Sequence, residues 1–118
     1  MEVKVRKNDN GVYLVELGGL LDLFSSEQLK ELVLKIIEKR AESLIISLKD
    51  IDRVDSVGIG ALIFISSTLK KLSCPLIFVV PEGPVMTALE VTKLKSYFTI
   101  APTLKEAITL AAGLPPRP

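Results

Sequence analysis

The feature that most constrains the fold is the alternation of short, continuously apolar segments with longer segments of helical period. Residues 43–48 (SLIISL) and 76–80 (LIFVV) are almost entirely apolar. Strands covered by other elements on both faces have this composition, because neither face meets solvent. A helical segment follows each run, which predicts parallel strands joined by right-handed helical crossovers. The predicted fold class is therefore α/β.

The first twenty residues predict a β-hairpin. Val3 and Val5 alternate with charged residues, as in a half-exposed edge strand, and residues 12–17 predict a second strand. Asn-Asp-Asn-Gly at positions 8–11 is a strong turn sequence between them. Gly18 and Gly19 are expected to end the second strand.

Helices are predicted over residues 26–40, 58–72 and 85–94, with a fourth beginning after Thr103. Ser25 or Ser26 is expected to cap the first helix, whose apolar residues recur at intervals of three and four. A short strand is predicted over residues 98–100. Together these elements predict a single domain over residues 1–112, with a mixed sheet of four or five strands and about four helices. Residues 113–118 are expected to form a flexible tail.

Composition excludes several functional classes. The 118 residues carry 15 basic and 14 acidic side chains, a net charge of +1 that provides no attraction to nucleic acid. The longest apolar stretch is too short to span a membrane, which needs about 20 residues. The amino terminus is charged, unlike a signal peptide, and one cysteine allows no internal disulfide. The sequence thus predicts a cytoplasmic protein without a membrane span and without a cofactor.

An enzymatic function has two sets of candidate residues. Asp50, Asp52 and Asp55 have oxygen ligands suited to Mg²⁺, but such acidic segments are more commonly solvated turns. Cys74 lacks a histidine base, because the chain contains no histidine, and its position before a strand indicates a buried small residue. The sequence therefore favours a protein that is not an enzyme and holds no metal.

The most informative segment is residues 55–60, Asp-Ser-Val-Gly-Ile-Gly, which leaves a predicted strand and opens a helix. Ser56 is expected at the helix N-cap with its hydroxyl near the surface. Two interpretations stay open at this point. Ser56 caps the helix and the glycines assist packing, or Ser56 accepts a phosphate that the helix amides attract and that Asp55 and Asp22 repel. The spacing does not match a phosphate-binding loop.

These residues resemble a known family. Asp-Ser-x-Gly-x-Gly after an apolar strand and an acidic segment is similar to the signature of the STAS domain, the fold of anti-sigma factor antagonists. Gly19-Leu20-Leu21-Asp22, followed by Ser25 and a helix, resembles the family's Gly-x-hydrophobic-Asp segment. Both motifs occur in the expected order, and the resemblance covers nearly the whole chain.

The resemblance implies an interaction module that is switched by phosphorylation. The family's phosphorylated serine falls on Ser56, and its acidic site residues fall on Asp22 and Asp55. The implied partners are an anti-sigma factor that is also a serine kinase, which the unphosphorylated protein binds so that a sigma factor is freed, and a protein phosphatase that resets the switch. The alternative is a non-phosphorylated STAS interaction subunit of a scaffold or lipid-transport complex.

The second predicted helix is apolar over most of its circumference, which one buried face does not require. A partner-binding face is therefore predicted where this helix and the first one begin. The opposing explanation is that neighbouring helices cover Phe64 and Ile65, and that Leu23 and Phe24 staple the first helix. The residues predicted for this face are Asp22, Leu23, Phe24, Asp55, Ser56, Val57, Gly58, Ala61, Phe64 and Ile65.

Overall fold

Five strands and four α-helices make up residues 1–113, the part of the chain that the computed structural model describes. The helices are α1 (Leu23–Glu38), α2 (Ser56–Lys71), α3 (Pro84–Val91) and α4 (Leu104–Ala112), and a short 3₁₀ turn covers Lys95–Tyr97. The strands are β1 (Glu2–Lys7), β2 (Val12–Leu21), β3 (Ser43–Val54), β4 (Leu76–Val79) and β5 (Ile100–Ala101). Apart from Gly113, the predicted tail lies outside the described residues.

The sheet is mixed, as predicted, and its strand order follows the chain order from β1 to β5. Strand β1 pairs antiparallel with β2, whereas the β2–β3, β3–β4 and β4–β5 pairs are parallel. The hairpin turn is held by Asn8, whose Oδ1 accepts from the Asn10 and Val12 amides at 2.9 and 3.0 Å. Gly11 takes a φ of +78°, which favours glycine. The predicted hairpin and α/β class are confirmed.

The helices lie on both faces of the sheet, three on one and one on the other. Leu44, Ile46 and Leu48 of β3 belong to the large core formed with α1, α2 and α3. Ile45 points to the opposite face and joins the smaller core under α4, through Ala107. The central strand is thus covered on both sides, which explains its continuously apolar sequence.

Two strands run further than their sequences predict. Strand β2 passes through Gly18 and Gly19 to Leu21, and β3 continues to Val54, so most of the loop expected after residue 48 is strand. The β2–β3 register shifts near these glycines, and Gly19 has a φ of +96°. The expectation that the glycines end β2 is wrong because irregularities of this kind bend a strand while pairing continues beyond them.

Helix boundaries also differ from the predictions. Helices α1 and α2 begin at Leu23 and Ser56, because aspartates rather than serines cap them. Helix α3 ends at Val91, and the last strand begins at Ile100 instead of residue 98. Only the cap of the last helix is as expected, since the Thr103 hydroxyl accepts from the Glu106 amide.

Candidate functional site

The candidate site is built where β2 and β3 end side by side. Leu21 and Val54 are register partners at the carboxyl ends of these parallel strands. The Asp55 amide donates to the Leu21 carbonyl at 3.3 Å, which ties the two strand ends together. Asp22 and Asp55 follow immediately and each caps a helix. Helices α1 and α2 therefore begin next to each other at the same edge of the sheet.

Asp22 forms a capping box with Ser25. Its Oδ1 accepts from the Ser25 amide at 3.1 Å, and the Ser25 hydroxyl accepts from the Asp22 amide at 2.8 Å. The amide and hydroxyl of Ser25 both donate to the carboxylate and hold the pKa of Asp22 below its usual value. Ser25 is buried, and its one hydroxyl proton is shared between that carboxylate and the Leu20 carbonyl, at 3.0 and 2.7 Å. Ser25 therefore serves the fold, and its hydroxyl is not accessible for modification.

Ser56 is placed differently from the prediction that it caps α2. The cap is Asp55, whose Oδ1 accepts from the Gly58 amide at 2.8 Å. Ser56 is the first residue of the helix, and its side chain is exposed. Within residues 1–113 its hydroxyl has no hydrogen-bond partner. Because Asp55 caps the helix, the Ser56 hydroxyl is available to another molecule.

The two glycines of the motif have different environments. A Cβ on Gly58 would lie 2.4 Å from the Leu21 carbonyl oxygen and 2.8 Å from a Val54 methyl group. A Cβ on Gly60 would meet nothing within 4 Å. Gly58 is thus required for the first turn of α2 to pack on the end of β2, whereas Gly60 faces open space.

Three apolar side chains are exposed at these helix starts, and a fourth, Phe64, is exposed about two turns along α2. Phe24 is 79% exposed, Leu23 55%, Phe64 46% and Val57 43%. We call these four residues, together with Asp22, Asp55 and Ser56, the α1–α2 face. The Lys30 ammonium lies 5.1 Å from the centroid of the Phe64 ring. A cation over an aromatic face is attracted to it, so this contact links the two helices at the surface.

Three residues predicted for the partner face are buried. Ala61 and Ile65 are each 1% exposed, and Gly58 packs against β2. The expectation that Ala61 and Ile65 are exposed is wrong because α2 contacts α1 as well as β3 and β4, so more than one side of the helix is covered.

Two residues that border the α1–α2 face are not among those predicted from the sequence. Leu20 is 45% exposed at the end of β2, beside the groove that Phe24 and Gln28 line. Lys30 reaches Phe64 from the neighbouring helix. Leu20 lies in the largely apolar segment Gly18-Gly19-Leu20-Leu21-Asp22-Leu23-Phe24, so no local contrast marks it as exposed. The position of Lys30 depends on how two helices pack and has no local sequence signal.

The acidic residues after residue 49 do not form a cluster. Asp50 and Asp52 lie within β3 and are exposed. Among residues 1–113, no group of three or more histidine, cysteine, aspartate or glutamate side chains is placed to hold a metal ion. In the same part of the chain, no helix has both the length and the apolar character needed to cross a membrane.

Comparison with known proteins identifies the family. The model of the STAS domain matches residues 2–107, and the chain belongs to the STAS domain family. The anti-sigma-B factor antagonist of Bacillus subtilis (strain 168) is 32% identical over 71 residues. That alignment covers 60% of this chain and 63% of the relative, so the chain spans less than two thirds of the relative's length.

Solved structures share the fold at lower identity. An anti-sigma factor antagonist from Mycobacterium paratuberculosis superposes with a TM-score of 0.84 at 23% identity, covering 94% of this chain and 93% of that one. The Bacillus cell fate determinant SpoIIAA in its phosphorylated form has a TM-score of 0.70 at 20% identity, covering 92% and 98% of the two chains. These likenesses establish the architecture.

The glycine environments predict opposite effects of one substitution. We expect Gly58→Ala to destabilise the protein by about 1–3 kcal/mol, because the new methyl group meets backbone that cannot move aside. Gly60→Ala should stabilise it by about 0.5–1 kcal/mol, since alanine restricts the unfolded chain and fits the helix. Urea unfolding of both variants and the parent measures the difference. Equal stabilities of the two variants would contradict the packing described here.

Because Asp55 rather than Ser56 caps α2, substitutions at these two positions should have different effects on stability. Asp55→Ala should lower the free energy of unfolding by about 1 kcal/mol, because the Gly58 amide loses its acceptor. Ser56→Ala should change it by less than about 0.5 kcal/mol, as expected of an exposed residue outside such interactions. Thermal unfolding monitored by circular dichroism provides the comparison. A larger loss in the Ser56 variant would mean that the serine is the cap.

Proposed function

We propose that the chain is an anti-sigma factor antagonist whose α1–α2 face binds an anti-sigma factor when Ser56 is unphosphorylated. The partner is also the serine kinase that modifies Ser56, and its capture frees a sigma factor. A protein phosphatase restores the unmodified state. In this proposal the protein acts in the cytoplasm by binding, and it catalyses no reaction itself.

The observation that carries the proposal is the contrast between Ser56 and the serines of α1. Ser56 is exposed at the beginning of a helix and has no hydrogen-bond partner within residues 1–113. Ser25 and Ser26 are 3% and 0% exposed. A kinase must reach the hydroxyl of its substrate, so Ser56 is the acceptor that accessibility favours.

The charges around Ser56 support a switch. A phosphate adds about −1.5 to −2 charges at pH 7. The added charge lies next to Asp55, on a face that also contains the ionised Asp22 and four exposed apolar side chains. A partner that covers those apolar side chains would have to desolvate the phosphate, which is costly unless the partner pairs it. Modification therefore disfavours binding by electrostatics and desolvation.

The helix start keeps the phosphate in place without rebuilding the fold. The first amides of a helix have no acceptor within it, and the positive end of the helix dipole attracts an anion. In α2 the Gly58 amide donates to the Asp55 carboxylate. The amides that precede Gly58 in the helix are therefore the ones left to interact with a phosphate. The switch thus changes the charge of the surface while the backbone keeps its conformation.

The comparisons support the same function. The curated relative from Bacillus subtilis is named an anti-sigma-B factor antagonist. One structural relative is described in a phosphorylated form. The exposed serine of this chain, in the motif that resembles the family's acceptor site, agrees with both descriptions.

We expect a cognate anti-sigma factor kinase to place one phosphate on Ser56 and none on Ser25 or Ser26. The reason is accessibility, because the α1 serines are buried. Mass spectrometry after incubation with the kinase and ATP locates the phosphate, and Ser56→Ala should prevent its addition. Phosphate on another residue, or labelling that persists in the Ser56→Ala variant, would contradict the proposal. An unlabelled chain that still binds a partner would favour the scaffold alternative.

Charge at position 56 should weaken kinase binding. Ser56→Asp is expected to reduce the affinity about tenfold or more, and less at high ionic strength, where charges are screened. Ser96→Asp is the matched control, because it adds the same charge at an exposed serine of the 3₁₀ turn. Calorimetric titration at two salt concentrations measures the kinase affinity of both variants. An equal loss in the two variants would show that the effect is not specific to the α1–α2 face.

The exposed aromatic ring of Phe24 should anchor the partner. Phe24→Ala is expected to weaken binding by about 1–3 kcal/mol, as for an aromatic residue buried by association. Folding should be nearly unaffected because the ring is 79% exposed. Val91→Ala is the control, since Val91 is 77% exposed on α3, away from this face. A folded Phe24→Ala variant with unchanged affinity would remove Phe24 from the binding surface.

A further inference from the structure

A second crevice lies at the carboxyl edge of the sheet, where two neighbouring connections diverge. The connection after β4 leads to α3, whose Val85, Met86 and Leu89 belong to the large core. The connection after β5 leads to α4, whose Ala107 and Ala111 belong to the core on the opposite face. Such a change of face between adjacent parallel strands opens a crevice at their carboxyl ends, a common position for ligands in α/β proteins.

The floor of this crevice is apolar. The crevice is open to solvent and has a volume of about 870 Å³ between α3, the 3₁₀ turn and β5, within the range of about 300–1,000 Å³ usual for small-molecule sites. Val80, Met86 and Phe98 are buried beneath it, and Ile100 is half-buried. An apolar group of a ligand would be desolvated on this floor, which favours binding.

The rim of the crevice contains both signs of charge. Glu82 and Glu90 belong to the α3 side, and Lys93 and Lys95 to the connection that follows α3. All four side chains are exposed, and none of them makes an ion pair within residues 1–113, where the ion pairs are Arg6–Glu16 and Lys30–Glu27. Carboxylates and ammonium groups thus surround an apolar floor without neutralising one another.

We propose that this crevice binds a small zwitterion with an apolar body, of the class of free amino acids with aromatic or branched side chains. The apolar group lies on Met86 and Phe98. The ligand's carboxylate pairs with Lys93 or Lys95, and its ammonium group pairs with Glu82 or Glu90. The site is separate from the α1–α2 face, so this inference does not rest on the function proposed for Ser56.

Chemical-shift titration of the ¹⁵N-labelled full chain with L-phenylalanine tests the site. Saturable shifts are expected at the amides of Met86, Ser96, Phe98 and Ile100, and none at Ser56. Phenethylamine lacks the carboxylate and 3-phenylpropionate lacks the ammonium group, so each should bind about three- to fivefold more weakly, as for loss of one partly exposed ion pair. Glycine, which has no apolar group, should cause no shift at these amides.

A double variant separates charge recognition from nonspecific effects. Lys93→Gln with Lys95→Gln should weaken phenylalanine about three- to fivefold but should not weaken phenethylamine, a cation without a carboxylate for the lysines to pair. Lys35→Gln with Lys39→Gln, at the carboxyl end of α1, is the matched control and should change the affinity of neither ligand. The proposal is overturned if phenylalanine causes no saturable shift at these amides, if all the analogues bind equally, or if only a protein partner perturbs the crevice.

Discussion

The close approach of Gly58 to the Leu21 carbonyl is the contact on which the rest of the site depends. A hydrogen atom in place of a side chain lets the first turn of α2 lie on the end of β2, where a Cβ would be 2.4 Å from the carbonyl oxygen. The Asp55 amide reaches the same carbonyl. These two interactions set α1 and α2 side by side, place both capping aspartates at one edge, and turn Ser56 outward.

The capping aspartates have a structural effect and an electrostatic one. Each carboxylate accepts from an amide that its helix cannot satisfy, and both leave negative charge beside Ser56. Because Asp55 rather than Ser56 caps α2, modification of the serine does not remove a hydrogen bond from the fold. Exposed Phe24 and Leu23 adjoin this charge, so the surface combines apolar side chains with carboxylates.

The direction of each crossover creates two different surfaces at the same sheet edge. Helices α1, α2 and α3 share a face, and only α4 packs on the other. Where α1 and α2 begin together, the loops converge and hold a hydroxyl, two carboxylates and apolar side chains at the surface. Where the connections to α3 and α4 separate, a crevice opens instead, with an apolar floor and charges of both signs. The proposed protein-binding face and the proposed small-molecule site therefore occupy separate positions along one sheet edge.

The sequence alone determined the α/β class, the hairpin turn at Asn8, the existence of the helices and the motif around Ser56, because these depend on periodicity and turn chemistry within a few residues. Only the tertiary structure decided how far β2 and β3 extend, that Asp22 and Asp55 are the caps, and that Ala61 and Ile65 are buried while Phe64 is half exposed. Strand length depends on pairing between segments about thirty residues apart, and the burial of a helix face depends on which helix packs beside it. Neither quantity is encoded in the local pattern of apolar residues, which reports only that a side chain prefers to leave water.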